Sequence, residues 1–316
     1  MIYPRPVTRH PDPALAGLTV LERGWLSSNN VLLHGAPGEG ATLVDTGHCN
    51  HAAQTLALVR SALGGERLAR VVNTHLHADH CGGNALLQRE LGVPAHIPPG
   101  LWQAVLDWDT DALSYRPSGE RCERFTPEAM LAPGDVLACG GRRWQVLAAP
   151  GHDPHSVILF EPEHGVLISA DALWENGFGV VFPELDGESA FDDVAGVLDL
   201  IERLPVQWVL PGHGAPFRDA SAALARARSR LAGFRADPSR HDRHAAKVLL
   251  KFHLLEEERQ GVAELHAWFA ATPLMQGMWR RLGAPHGSLA GWCDALVAEL
   301  AAAHVLAVRD GVVCNA

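Results

Sequence analysis

Along the first half of the chain, apolar positions come in short runs separated by turn residues, the pattern of strands joined by tight connections. Such runs occupy residues 18–23, 30–34 and 41–44. Pro37-Gly38 punctuates the second gap, and Asp45-Thr46-Gly47 closes the third run. Apolar residues then recur at helical spacing over 52–63 until Gly64-Gly65 ends the repeat. A buried strand is expected at 68–73 and a helix at 83–91, stopped by Gly92. Residues 101–130, with Trp102, Trp108 and several acids, read as helical with a variable loop. Strands resume at 136–139, 143–148, 156–160 and 166–169, followed by a helix at 190–204 and a short strand at 208–210. Strands grouped with helices in two successive halves predict an α/β layered body.

After about residue 220 the texture changes. Residues 220–236 form an Ala/Arg-rich helix, and 244–259 place Val248, Phe252 and Leu255 on one helical face. Further helices are expected at 262–271, 274–282 and 289–303. Residues 305–308 and 312–314, joined through Asp310-Gly311, read as a β-hairpin. The pattern divides the chain into a body, residues 1–221, and a C-terminal, mainly helical, winged-helix-like domain, residues 222–316.

Composition sharpens this picture. The chain has 316 residues, enough for a large core, and 47% are apolar against 20% charged, which excludes a disordered chain. No apolar run is long enough to span a bilayer, and the first residues lack the basic-then-apolar order of a leader. Six cysteines with no C-x-x-C pair then read as reduced thiols, so a cytoplasmic protein without membrane contact is expected. Residues 1–221 hold 14 Lys and Arg against 27 Asp and Glu, and residues 222–316 hold 12 against 9. The acidic body disfavours nucleic acid as a partner, and only the weakly basic tail leaves an opening for it.

The 18 histidines are the stronger clue, because neutral imidazole is the commonest metal ligand. Four candidate ligands fall within six residues of Thr74-His75-Leu76-His77-Ala78-Asp79-His80-Cys81. Directly after a strand, His75 and His77 share a side by the period of two, and Asp79 and His80 fall where the chain turns toward a helix. Such a segment can present ligands to two metals. Cys81 is expected to pack rather than ligate.

This segment resembles the H-x-H-x-D-H signature of the metallo-β-lactamase superfamily. Four further motifs follow the family's order: Asp45 in Val44-Asp45-Thr46-Gly47, His152 in Pro150-Gly151-His152, Asp171 in Ser169-Ala170-Asp171, and His213 in Pro211-Gly212-His213-Gly214. The resemblance implies an αββα sandwich with two divalent metal ions at one edge, zinc in first place, with iron or manganese also compatible. It implies that His75, His77 and His152 hold one ion and that Asp79, His80 and His213 hold the other. Asp171 and a hydroxide would bridge them, and Asp45 would orient a ligand from behind. Asp171 stands where one major class of zinc β-lactamases has Cys, as in glyoxalase II-like thioesterases, lactonases and nucleases.

Asp79 and His155 are the candidate catalytic side chains beyond simple ligation. His155, three residues past His152, reads equally as a substrate contact or proton donor and as a loop histidine bonded to its own backbone. Trp174 and Phe178, in Trp174-Glu175-Asn176-Gly177-Phe178-Gly179, read as a rim over the metals or as packing under a sheet edge. Trp25 reads as core or as part of the same mouth. His10, His34, His48, His51, His96, His164, His241, His244, His253, His266, His286 and His304 lack ligand-like spacing. Asp107, Asp109 and Asp111, and Glu256-Glu257-Glu258, read as solvated acids.

The resemblance implies a glyoxalase II-like hydrolase in which the bridging hydroxide attacks a thioester or another small acyl substrate. The C-terminal cations Arg240, Arg243 and Lys247 do not match the basic pair by which such enzymes hold glutathione. A single-stranded RNA endonuclease with a winged-helix tail and a lactonase are the alternatives within the family; a mono-iron dioxygenase and a metal-free scaffold fit the complete ligand set less well. The tail is expected to act as a lid, a homodimer contact or a nucleic-acid contact.

Overall fold

The computed structural model describes residues 11–316, so His10 and the start of the segment read as leader-free lie outside the described residues. Six strands form the first sheet in sequence order: β1 (Leu18–Leu21), β2 (Asn30–Leu33), β3 (Ala41–Val44), β4 (Leu68–Val72), β5 (Ala95–Ile97) and β6 (Pro127–Met130). Pairing is antiparallel from β1 to β3 and parallel from β3 to β6. The second sheet contains β7 (Val136–Cys139), β8 (Arg142–Ala148), β9 (Val157–Glu161), β10 (Val166–Ala170) and β11 (Trp208–Pro211), in the order β11-β10-β9-β8-β7. The strand β6 was not expected. It lies in the stretch read as helix and loop, and pairing with β5 overrides its weak local signal.

Period-two alternation divides each central strand between two cores. Val31 and Leu33 of β2, Val44 of β3 and Val72 of β4 meet Trp144, Val146, Val157, Leu159, Val166 and Ile168 between the sheets. Their neighbours Leu32, Leu43 and Val71 point outward, under α1 (Ala52–Leu63) and α3 (Asn84–Leu91), with α2 (Ala78–Cys81) between those helices in sequence. On the other side Ile158, Phe160, Leu167 and Val209 are covered by later helices. The result is the expected αββα sandwich. Strands buried on both faces explain why β9 and β10 are apolar almost throughout.

The region from 102 to 118 supplies α4 (Trp102–Asp107) and α5 (Tyr115–Ser118), and α6 (Phe182–Leu185) follows the second sheet's first four strands. The outer helices of the second sheet are α7 (Phe191–Arg203) and α8 (Ala220–Ala236). Leu224, Leu231 and Phe234 of α8 belong to the same core as Val194, Leu198 and Ile201 of α7. The boundary expected at 221/222 thus falls inside α8, and the change of core comes at Asp237. That residue closes α8 and accepts from Ser239 N–H at the start of α9 (Pro238–Glu257).

Beyond it come β12 (Arg259–Gly261), α10 (Val262–Ala271), α11 (Pro273–Arg281), α12 (Leu289–Ala302), β13 (Leu306–Arg309) and β14 (Val312–Asn315). The hairpin β13–β14 pairs with β12 in a three-stranded antiparallel sheet, and the helices share their own core. This C-terminal part is fastened to the body. Arg281, oriented within that part by both carboxylate oxygens of Asp242 at 3.1 and 2.8 Å, donates to Leu185 O of the body at 2.8 Å. Val181 N–H donates to His241 Nε2 at 3.1 Å. Glu256 is buried rather than solvated: Arg121 pairs with it, and burial pushes its carboxyl up to about 7. All six cysteines are free thiols. No helix among the described residues is long and apolar enough to cross a membrane.

Candidate metal centre

Parallel pairing of β3 with β4 and of β10 with β11 brings the C-terminal ends of these strands to one edge of the sandwich. β8, antiparallel to β9 as is β10, ends at the same edge. Every motif sits just past such an end: Asp45 after β3, His75 to His80 after β4, His152 after β8, Asp171 after β10 and His213 after β11. Asp45 and Ala170 both adopt positive φ, 58° and 45°, unusual for non-glycine residues, and each stands where a strand gives way to a motif segment.

Two triads result. His75 Nε2 and His77 Nδ1 lie 3.2 and 2.8 Å from His152 Nε2. In the second, Asp79 Oδ2 is 2.9 Å from His213 Nε2 and 3.7 Å from His80 Nε2. Asp171 stands between them, Oδ1 at 3.4 Å from His80 Nε2 and Oδ2 at 3.5 Å from His152 Nε2 and 3.8 Å from His213 Nε2. All of these residues are buried.

The groups behind the triads fix which nitrogen faces in. His80 Nδ1 is 2.8 Å from Asp45 Oδ2, which also accepts from Thr74 Oγ1 at 2.8 Å, while Asp45 Oδ1 accepts from Thr74 N–H at 2.9 Å. His152 Nδ1 is 2.5 Å from Val180 O. With the outer nitrogens so engaged, the inner ones are free to accept a cation. His80 Nε2 is buried with no hydrogen-bond partner, although two carboxylates face it. Such an orphan, together with three converging imidazole nitrogens, fits a metal cation.

Electrostatics agree. Burial and then the neighbouring imidazoles hold His75 and His77 well below the usual histidine range, neutral and ready to ligate. Burial opposes charge on His80 too, but Asp79, Asp171 and Asp45 outweigh it and raise that imidazole well above the usual range. For Asp171, burial is likewise outweighed, here by His80 and His213, and its carboxyl lies well below the usual range. The Asp45→Asn variant should therefore bind metal about 10- to 100-fold more weakly, the common cost of losing such a supporting bond. A chelator-competition titration reads this directly, and unchanged affinity would remove Asp45 from its role.

The remaining candidates separate. Trp25 is 54% exposed and stacks on His213 at 5.4 Å with planes 8° apart, so it belongs to the mouth and not the core. Trp174 packs on Trp25 and His213, and its indole N–H donates to Asp171 Oδ1 at 3.2 Å. Phe178 is not at the rim. It is buried against Phe234 and under Arg230 in the core beneath α8. It is the next residue, Gly179, that abuts His152: a Cβ there would fall 2.4 Å from the ring nitrogen.

Of the two readings of His155, the surroundings match the loop histidine. Its backbone N–H donates to Asp153 Oδ1 at 2.8 Å, and its exposed ring packs on Gly100, away from the triads. It borders a separate cavity of about 200 Å³ that His77 and Phe182 also line. Cys81 is buried, with Sγ near Leu76 O and Tyr115 Oη, and does not face the triads.

Several wall residues were not foreseen. Phe182 packs on His77 and His152 at 4.4 and 5.6 Å between ring centres. Val248, Leu249 and Phe252 of α9 close the space above the triads, one helical turn separating Val248 from Phe252. Glu120 lines the same space, its carboxyl pushed up to about 8 by burial and then by Asp79 and Glu256.

Comparison with known proteins follows the same lines. The chain is 31% identical over 163 residues to the acyl-coenzyme A thioesterase MBLAC2 of Gallus gallus, covering 47% of this chain and 57% of that protein. It is 31% identical over 189 residues to a hydroxyacylglutathione hydrolase of Synechococcus sp. (strain JA-3-3Ab), covering 60% and 64%. The matched part is thus less than two thirds of each relative. Among solved structures, a β-lactamase domain protein from Burkholderia ambifaria superposes with a TM-score of 0.60 at 24% identity, over 95% of this chain and 92% of that one. The family model of the metallo-beta-lactamase superfamily matches residues 23–213, more than half of the chain, and the chain belongs to that superfamily.

Proposed function

We propose that the protein is a dinuclear metal hydrolase that opens thioesters and related small acyl esters. The observation that carries this reading is the pair of buried triads sharing Asp171 beneath a recessed cavity. Both named relatives are thioester hydrolases, which supports the substrate class. His75, His77 and His152 would hold one divalent ion, Asp79, His80 and His213 the other, with Asp171 between; zinc suits the donors best, and iron or manganese also match. Bound there, two such ions supply an activated water at neutral pH and polarise the acyl carbonyl.

The chain's own groups do the rest. Asp45 keeps His80 in one tautomer, and the Trp174 indole keeps Asp171 from rotating. Phe182 and α9 exclude bulk water from the centre. Asp79, whose Oδ2 lies 2.9 Å from His213 Nε2, would serve both as a ligand and as a proton acceptor beside the ions. A thiolate has a conjugate acid of pKa about 8.5 and leaves readily, so the reaction needs no proton from His155. The free thiols fit a cytoplasmic setting. The site is a recess walled by α9 and not an open basic groove, which favours a small acyl substrate over RNA.

Protein loaded with zinc, iron or manganese and offered acyl-glutathione and acyl-coenzyme A panels should release free thiol, measured with a chromogenic thiol reagent. Full metal occupancy with no thioester opened would overturn the assignment.

A further inference from the structure

Beside the triads, between the body and the C-terminal helices, lies a cavity of about 450 Å³. It begins at His213 and shares Trp174, Val180, Val248 and Phe252 with the space above the triads. Trp25, Leu300 and Val305 extend its apolar lining. Size and lining are those of a small-molecule site.

The cavity also carries cations, and they are not equivalent. Lys247 pairs with Glu299 at 2.5 Å, and nearby Arg243 approaches the same carboxylate at 3.7 Å. His244 is kept neutral, pushed down to about 4 by burial and then by Arg230 and Lys247. Arg230 and Lys251 are half-buried and have no carboxylate partner: Arg230 Nη1 donates to Phe178 O at 3.3 Å and Lys251 Nζ to Val305 O at 3.0 Å. Among the described residues the one acid on the lining, Glu175, is exposed and forms no ion pair. Half-buried charges facing an apolar cavity without counter-ions favour an anion brought by the ligand.

We infer that this cavity takes a hydrocarbon-bodied anion: the part of the substrate beside the scissile carbonyl is apolar, packs between Trp174 and Phe252, and ends in a carboxylate or phosphate paired with Arg230 or Lys251. The inference rests on the hydrolase reading for where the carbonyl sits. The anionic group belongs either to the acyl half or to the thiol half, since both leave the same centre.

The first measurement is binding of octane-1-sulfonate and octan-1-ol to the metal-loaded protein, followed by calorimetry. The sulfonate should bind about 10- to 100-fold more tightly, the worth of a charge-assisted hydrogen bond. The preference should collapse in the double variant Arg230→Met, Lys251→Met. Equal binding of the two probes by the unsubstituted protein overturns the inference, whether or not the variant folds. The second measurement compares kcat/KM for two matched pairs. One is the N-acetylcysteamine thioester of suberic acid against its methyl ester, and the other is octanoyl-6-mercaptohexanoate against octanoyl-6-mercaptohexanol. The pair that favours its anionic member assigns the charge to the acyl or the thiol half. Hydrolysis of all four at similar rates leaves the hydrolase reading standing and overturns the inference. Sulfonate preference with no hydrolysis does the reverse.

Discussion

Replacing His152 by alanine is expected to lower thioester turnover by more than the roughly 10²–10³-fold that a single transition-state hydrogen bond is worth. The reason lies in its position. His152 Nε2 is within 3.2 Å of both other imidazoles of its triad and 3.5 Å from Asp171 Oδ2. Its outer nitrogen is tied to Val180 O, so no other rotamer competes. Without it His75 and His77 offer two ligands to an ion that prefers four, and Asp171 loses one of the partners that set its orientation. Metal analysis should show the corresponding ion lost, and the second triad, Asp79, His80 and His213, should retain its own. Turnover and metal content near those of the unsubstituted protein would exclude His152 as a ligand.

Much of the sandwich was legible because its strands are short apolar runs between turn residues and two of its helices, α1 and α3, end at glycines. The segment 41–44 and the helix 52–63 were placed to the residue, the latter stopped by Gly64 in a left-handed conformation. His75, His77, Asp79 and His80 were legible because they are close in sequence, whereas His152, Asp171 and His213 were legible only through the resemblance of their motifs to the family's. What the sequence hid depends on contacts between distant segments. β5 and β12 have three residues each, too few for a periodic signal. Val248 and Phe252 were visible as one face of a helix, but nothing local says that this face covers the metal centre. Phe178 and Gly179 differ by one position. In a non-repetitive segment no periodicity tells which of two neighbours faces the site, so the aromatic was favoured and the glycine overlooked. The start of α9 was in fact marked by Asp237 before Pro238, a cap and a first-turn proline, and the reading placed it too late. Glu256 looked solvated as one of three consecutive acids; Arg121, far away in sequence, makes its burial tolerable.

Gly212→Ala should disable the centre as thoroughly as loss of a ligand, though the glycine contributes no side chain. A Cβ at Gly212 would lie 2.1 Å from Asp171 Oδ1 and 3.0 Å from His80 Cε1, far inside contact distance. The backbone cannot retreat. Gly212 N–H donates to Ala170 O at 2.8 Å, and Asn29 N–H donates to Gly212 O at 2.7 Å, so the residue is held from both sides at the end of β11. Relief has to come from Asp171, which is the group shared by both triads and the one braced by Trp174. A displacement of about 1 Å at a reacting centre can cost on the order of 10²-fold in rate. Turnover should fall by at least about that factor, with weaker retention of metal in a dialysis experiment. Gly214→Ala supplies the contrast two residues along. Nothing lies within 4 Å of its Cβ, so its φ of +88° leaves only backbone strain, about 1–3 kcal/mol of stability, with metal content preserved. If the two alanine variants lose metal to the same extent, crowding of Asp171 is not what the glycine prevents.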